Sequence, residues 1–89
     1  MTKFETELKK LRPDDEINGT ETHGMNRHGY EFISTAGHGF LIVPRNDKNA
    51  WIARNILSKT GYGYTGKLAY YLEKDCQAPK FLRDTAVKD

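Results

Sequence analysis

The sequence predicts an α+β fold with a small, three-stranded, mainly antiparallel sheet and packed helices, in the order α-β-β-α-β-α. Apolar residues recur at helical spacing in three segments, and three other segments are rich in the aromatic and β-branched residues that favour strands. Glycine or proline separates most of these segments. With 89 residues, we expect a single domain over residues 1–89 with room for only a small core.

The first helix is predicted by a capping box, in which the Thr2 hydroxyl and the Glu5 carboxylate each accept the other residue's backbone N–H. Three apolar residues then share one helical face: Phe4, Leu8 and Leu11. Pro13 disfavours a helical conformation in the residue before it, so the helix is predicted over about residues 2–12. Residues 13–28 carry few apolar side chains and are predicted to form a long polar loop with room for one edge strand.

The α+β core is predicted over residues 29–87 and begins with a hairpin. Residues 30–35 and 40–43 have the composition of strands, and Gly37 and Gly39 between them are expected to supply the positive φ angles of a tight turn. The second strand is apolar at every position, so both of its faces should be covered. We therefore expect it in the centre of the sheet.

The second half of the core is predicted to contain a helix, a strand and a final helix. Apolar spacing indicates a helix over roughly residues 47–60, which Gly61 ends. Residues 67–73 alternate in the manner of the third strand. Proline is tolerated only in the first turn of a helix, so Pro79 places the start of the last helix near residue 78.

The charge of the chain is nearly balanced, with 14 basic and 12 acidic side chains and a net charge of +2. A dedicated DNA-binding domain usually has a larger and more segregated positive charge. A single cysteine excludes an internal disulfide and gives no sign of an oxidising compartment. The N-terminal segment lacks the apolar core of a signal peptide, so we expect a cytoplasmic protein without membrane contact.

Three histidines, each followed by glycine, lie close together in the sequence: His23, His28 and His38. Three imidazoles can hold a catalytic zinc ion. Their spacing fits neither one face of a helix nor one face of a strand, and no HExxH motif accompanies them. We therefore favour turns that carry histidine, and expect no metal, no cofactor and no catalytic residue. A small metal-dependent hydrolase remains the third hypothesis for the function.

Cys76 offers a second possible centre for catalysis, together with a histidine and Asp75. Its position near the start of a predicted helix favours the thiolate. A lone cysteine is more often a small buried apolar residue, and that is the interpretation we favour here.

Aromatic and basic residues alternate late in the chain, with four tyrosines near three lysines. Proteins that bind single-stranded nucleic acid combine exposed rings with cations in this way, so nucleic acid is the alternative partner. The tyrosines that alternate along the third predicted strand are equally typical of packing on a sheet.

Trp51 lies off the apolar stripe of its predicted helix, and it is either a core residue or an exposed anchor for a partner. Tryptophan, tyrosine and arginine dominate the centres of protein interfaces. The residues predicted to bind a partner are therefore Trp51, Arg54, Tyr62, Tyr64 and Lys67.

Two short motifs occur within the core. The first, TAGHGFLIV, covers residues 35–43, and the second, LEKDC, covers residues 72–76, with Phe81 beyond it. Together they resemble a small domain found in bacteriophage and plasmid proteins, with a T-x-G-H-G motif, an apolar strand, a helix and a strand that ends in L-E-x-D-C. The resemblance covers residues 30–83.

The resemblance implies a mobile genetic element and an accessory role, and it brings no activity, cofactor or catalytic residue. Many short phage proteins bind and block a host protein, including proteins of restriction and CRISPR systems. We therefore expect a non-enzymatic accessory protein that binds and modulates a bacterial host protein in the host cytoplasm, with inhibition of a defence system as one such role.

The matched motifs also suggest a structural tie across the domain. Gly37 and Gly39 would hold His38 at the tip of the hairpin, and Glu73 and Asp75 would lie at the junction of the last strand and helix. An imidazole close to either carboxylate would be protonated more readily and would bind it.

Overall fold

Three helices and five strands make up the part of the chain that the computed structural model describes, residues 2–22 and 29–88. The strands form one sheet in the order β1-β2-β3-β5-β4, and all neighbouring strands are antiparallel. In chain order the elements are α1 (Lys3–Leu11), β1 (Ile17–Thr22), β2 (Glu31–Thr35), β3 (Gly39–Pro44), α2 (Ala50–Lys59), β4 (Tyr64–Thr65), β5 (Ala69–Glu73) and α3 (Ala78–Lys88).

The α+β class predicted from the sequence is confirmed, but the prediction of a three-stranded sheet is wrong. The two additional strands, β1 and β4, lie at opposite edges of the sheet. β1 is an edge strand of the kind for which the predicted loop 13–28 left room, whereas β4 was not predicted. β1 has the polar sequence INGTET and falls within the predicted loop 13–28, and β4 contains only two residues. Edge strands are partly exposed to water, so they need neither an apolar pattern nor great length.

β3 is the central strand, as its apolar sequence predicts. It pairs with β2 on one side and with β5 on the other, and residues 40–43 are all buried. The pairing with β5 runs from Phe40 opposite Glu73 to Pro44 opposite Ala69. Residues 45–68, which include β4, therefore begin and end beside one pair of neighbouring residues in the β3–β5 ladder.

Helices cover both faces of the sheet. The helix α1 packs on one face through Leu8, with Phe40 and Tyr71 below it. The helices α2 and α3 pack on the other face, where Ile56 and Phe81 meet the alternate strand residues. The sheet is therefore the middle of three layers, and helices cover both of its apolar faces. None of the helices within the described residues is long and apolar enough to cross a bilayer.

The helix boundaries follow from identifiable contacts. The predicted capping box of α1 is present, since the Glu5 N–H donates to the Thr2 hydroxyl at 3.1 Å and the Thr2 N–H donates to Glu5 at 2.7 Å. The helix α2 begins at Ala50 rather than near residue 47, because the Asp47 carboxylate holds the preceding turn by accepting the Asn49 N–H at 2.9 Å. The helix α3 begins at residue 78, as predicted.

The hairpin between β2 and β3 is held together by Thr35. The Thr35 N–H donates to the carbonyl oxygen of His38 at 2.8 Å, and the Thr35 hydroxyl accepts the His38 N–H at 3.0 Å. The expected positive φ angles at Gly37 and Gly39 are absent from both of these described residues. A Cβ atom at Gly39 would lie 3.1 Å from the side chain of Lys74, which is exposed.

Candidate functional site

The exposed face of α2 carries Trp51, the one tryptophan of the sequence. Trp51, Arg54, Asn55 and Ser58 are exposed and lie on one side of the helix; together they are termed the α2 surface. Trp51 retains 55% of its accessible area, so it is not the core residue that was the alternative interpretation. The opposite side of the helix is buried against the sheet through Ile52, Ala53 and Ile56.

An open groove lies between the α2 surface and α3. It has a volume of about 350 Å³ and combines an apolar floor with the ammonium groups of Lys59 and Lys80. Lys80 pairs with Asp84 at 3.3 Å, so the one carboxylate of this groove is already engaged. The residues lining this α2–α3 groove are Trp51, Ile52, Asn55, Ile56, Lys59, Lys80 and Asp84.

A second concavity lies on the other flank of the α2 surface, against β4 and β5. It has a volume of about 460 Å³ and is termed the arginine pocket. The described residues that line it are Arg45, Arg54, Leu57, Ser58, Thr65 and Tyr70. None of these residues is an aspartate or a glutamate.

The sequence around these two concavities is strongly biased in charge. Residues 48–72 contain four basic side chains and no acidic one, although the whole chain carries only two more basic than acidic residues. Asp47, just before this segment, is engaged by the hydroxyl of Tyr30 at 2.6 Å and by the backbone of Asn49. The positive charge of the α2 surface and its flanks is therefore not offset by any carboxylate of the same segment.

The residues predicted to bind a partner do not form one surface. Trp51 and Arg54 lie together on the α2 surface, and Tyr62, which is 58% exposed, follows the end of the same helix. Tyr64 instead packs on the α1 side of the sheet, with its ring 5.9 Å from that of Phe40. Lys67, the last predicted residue, lies beside α1.

A third concavity, of about 670 Å³, lies between α1 and residues 65–68 and includes Lys67. The Glu7 carboxylate lies within it and accepts the backbone N–H groups of Lys67 at 2.7 Å and Leu68 at 3.1 Å. It also accepts the Tyr71 hydroxyl proton at 2.8 Å. Glu7 is thus engaged by the fold itself, and the other charged residues that line this concavity are Lys3, Lys10 and Lys67.

The contacts of Glu7 also change its acidity. Burial alone would raise the pKa of Glu7, but the hydrogen bonds from the Tyr71 hydroxyl and from backbone N–H groups outweigh it, and the pKa lies below the ordinary value of 4.5. Burial and the neighbouring Glu7 raise the pKa of Tyr71, which therefore remains a hydrogen-bond donor at neutral pH. The ionised form of Glu7 is the one that stabilises the fold.

We expect the substitution Glu7→Gln to destabilise the protein at neutral pH and to matter progressively less in acid. Because the folded-state pKa is depressed, the contribution of ionised Glu7 is fully present above pH 4.5 and is lost as the pH falls through the folded-state value. Urea unfolding of both proteins at neutral pH and below pH 4.5 measures this. A stability difference that is the same at both pH values would contradict this role of Glu7.

The expected tie between His38 and the β5–α3 junction is not formed. His38 is exposed, and no ion pair within residues 29–88 joins it to Glu73 or Asp75. Glu73 instead accepts the thiol proton of Cys76, at 3.8 Å, and its backbone N–H donates to Gln77. The junction is therefore organised by its own residues.

We expect the substitution Thr35→Val to lower the free energy of unfolding by about 1.5 kcal/mol, because it removes the buried hydroxyl that accepts the His38 N–H. The substitution His38→Ala should change stability by less than about 0.5 kcal/mol, as is usual for an exposed side chain. Chemical denaturation of both variants checks the order. A larger loss for His38→Ala would show that the imidazole does hold the turn.

Cys76 differs from both descriptions that the sequence suggested. It is exposed rather than buried, and partial loss of hydration together with the negative charges of Glu73 and Asp75 raises the pKa of its thiol. The thiolate is therefore disfavoured. No group of three or more metal-binding side chains occurs in residues 2–22 and 29–88, and His23 and His28 lie outside those residues.

Sequence reasoning missed the importance of Arg45 and Lys80, which flank the α2 surface on its two sides. The absence of acidic residues from 48 to 72 could have identified the basic character of α2 and its surroundings, but Arg45 and Lys80 lie outside that segment and no local signal identifies them. Comparison of the chain with protein-family models, with curated proteins and with solved structures finds no match.

Proposed function

We propose that this protein is a non-enzymatic binding protein whose α2 surface docks on an acidic region of another protein. The observation that carries the proposal is the exposure of Trp51 among cations, on a side of the molecule where residues 48–72 include no carboxylate. The α2–α3 groove beside it adds an apolar floor and Lys59, together with Lys80, which is paired with Asp84. An acidic protein segment with an apolar anchor complements this chemistry.

Three physical arguments support the α2 surface as an interface. Tryptophan and arginine make the largest contributions at protein interfaces, and Trp51 and Arg54 are adjacent on one helical face. Cations that surround such an anchor accelerate encounter with an acidic partner and disfavour basic ones. A rigid helix also loses little conformational entropy when it binds.

The proposed partner is a bacterial host protein, met in the host cytoplasm. The resemblance of residues 30–83 to a domain of phage and plasmid proteins supports this origin, because short proteins of mobile elements often bind host factors. Inhibition of a defence system is the consequence we propose for the host.

Nucleic acid is the second candidate partner. It is favoured by the arginine pocket, which offers two guanidinium groups, and by the exposed ring of Tyr62. Binding of that kind weakens steeply with salt, because counterions are released from the phosphates.

The test is a pull-down from bacterial lysate at moderate and high salt, with four forms of the chain. Trp51→Ala and Arg54→Glu alter the α2 surface, and Lys10→Glu is a matched charge reversal on α1, on the other face of the sheet. We expect a protein that is retained at high salt by the unaltered chain and by Lys10→Glu. Trp51→Ala should bind the purified partner at least about 10-fold more weakly.

Other outcomes would overturn the proposal. Retention of the same protein by Trp51→Ala at unchanged affinity would remove the α2 surface from the interface. Capture of nucleic acid that washes off at high salt, without a protein partner, would favour the second candidate.

A further inference from the structure

The arginine pocket carries an inference beyond the docking of α2. It lies on the opposite flank of α2 from the α2–α3 groove and is an open concavity bordered by α2, β4 and β5. Its volume of about 460 Å³ falls in the range typical of ligand pockets, which is about 300–1,000 Å³. It therefore has space for a charged group together with part of the side chain that carries it.

Arg45 is held in a fixed position at one side of this pocket. Its Nε donates to the carbonyl oxygen of Gly66 at 2.8 Å, and its guanidinium carbon lies 4.9 Å from the centre of the Tyr70 ring. These two contacts orient the planar group and leave its two terminal nitrogens as donors. Little side-chain entropy remains to be lost when Arg45 binds an anion, so the group is preorganised.

Arg54 and Thr65 supply the remaining donors. The Arg54 guanidinium has no ion-pair or hydrogen-bond partner among residues 2–22 and 29–88. The Thr65 side chain lines the same pocket from β4 and offers a hydroxyl. Ser58 is already used as a donor, since its hydroxyl proton is directed at the carbonyl oxygen of Asn55 at 2.7 Å.

The pocket thus has two full positive charges, at least one further donor and no acidic side chain among its described lining residues. We propose that it binds a phosphate monoester, carried by a phosphorylated side chain of the protein partner. This inference rests on the proposed function, because the phosphate belongs to the protein that docks on the α2 surface.

Charge and geometry favour the monoester over other anions. A phosphate monoester carries a charge of about −1.5 to −2 at neutral pH, which balances Arg45 and Arg54 together. A single carboxylate or one phosphodiester carries only one negative charge and would leave one guanidinium unbalanced. Arginine is also suited to phosphate because its planar array of N–H groups matches two oxygens at once.

The experiment measures binding by calorimetry, with the full chain and four probes. They are an acidic peptide that contains phosphoserine, the same peptide with serine, inorganic phosphate and oligothymidylate. We expect the phosphopeptide to bind at least about 10-fold more tightly than the serine peptide, since each charge-assisted contact contributes more than about 1.4 kcal/mol. We also expect inorganic phosphate to compete with it.

Three variants test whether the preference for the phosphopeptide over the serine peptide depends on the arginine pocket. Arg54→Gln should abolish most of the preference, and it should fold normally because Arg54 makes no bond to other described residues. Arg45→Lys keeps the charge but loses the planar donor array, so it should reduce the preference without reversing it. Lys10→Gln removes one positive charge on α1, outside the pocket lining, and should leave the preference unchanged.

The contrary outcomes are distinct. Equal affinity for the two peptides, or a preference that survives Arg54→Gln, would overturn the inference. Tighter binding of oligothymidylate than of the phosphopeptide, with loss in Arg54→Gln, would replace it with nucleic-acid binding. If the phosphate preference is absent while partner binding still requires Trp51, only this inference fails. If phosphate binds but Trp51→Ala leaves partner binding unchanged, the proposed function fails instead.

Discussion

Replacing Gly63 by alanine is expected to lower the free energy of unfolding by about 4 kcal/mol. Gly63 has a φ of +76°, in the left-handed region that disfavours any residue with a Cβ atom. The added Cβ would also lie 2.6 Å from the backbone oxygen of Tyr71 and 2.7 Å from Leu57, and still closer to the Gln77 side chain. The oxygen of Tyr71 belongs to β5, so it cannot move away without disturbing the sheet.

The size of this loss can be measured by urea unfolding followed by circular dichroism. A domain of this size has a small stability margin, so a loss of this magnitude should leave much of the variant unfolded at ordinary temperature. Gly61→Ala is the matched control, because a Cβ atom at Gly61 would have no other atom within 4 Å and the φ of Gly61 is not positive. We expect it to change stability by less than about 1 kcal/mol. Similar values for the two variants would contradict the argument.

Replacing Gln77 by leucine is expected to cost about 3 kcal/mol. Gln77 is only 1% exposed, and its side-chain amide joins the segment that follows α2 to the end of β5. The NH₂ group donates to the Thr60 hydroxyl and, at 2.6 Å, to the carbonyl oxygen of Tyr62, and the amide oxygen accepts the Glu73 N–H at 3.0 Å. Leucine has a similar volume but makes none of these three hydrogen bonds.

The measurement is again the free energy of unfolding, with Cys76→Ser as the control. Cys76 precedes Gln77 directly but is exposed, so its replacement should change stability by less than about 0.5 kcal/mol. The variant Gln77→Leu should also loosen the segment around Tyr62, which faster amide hydrogen exchange in residues 60–63 would report. A stability equal to that of the unaltered chain would show that water replaces the amide without cost.

The parts of the fold that local sequence patterns specify were predicted correctly. The helices α1 and α3 and the strands β2, β3 and β5 have apolar residues at the spacing that their burial demands, and this spacing is visible in a single sequence. β1 and β4 lack this signal because their stability depends on hydrogen bonds to a neighbouring strand. Such pairing depends on residues far away in the chain, which no local pattern records.

Only part of the candidate site was predicted, because its other residues are positioned by contacts that are distant in the sequence. Trp51 and Arg54 were identified as candidates by residue type and because Trp51 lies off the apolar stripe of its helix, but the sequence left open whether Trp51 is buried or exposed. Arg45 was not, because its position depends on the carbonyl oxygen of Gly66, 21 residues later. The separation of Tyr64 from Trp51 was equally hidden, since it depends on which face of the sheet the short strand β4 presents.

The segment that contains the proposed binding surface begins and ends at adjacent positions in the sheet. Residues 45–68 connect Pro44 to Ala69, which are partners in the ladder between β3 and β5. Exposed positions within this segment can therefore be exchanged while the ladder and the α1 layer keep their sequence. A change in the proposed binding surface would therefore require substitutions in only one continuous stretch of the sequence.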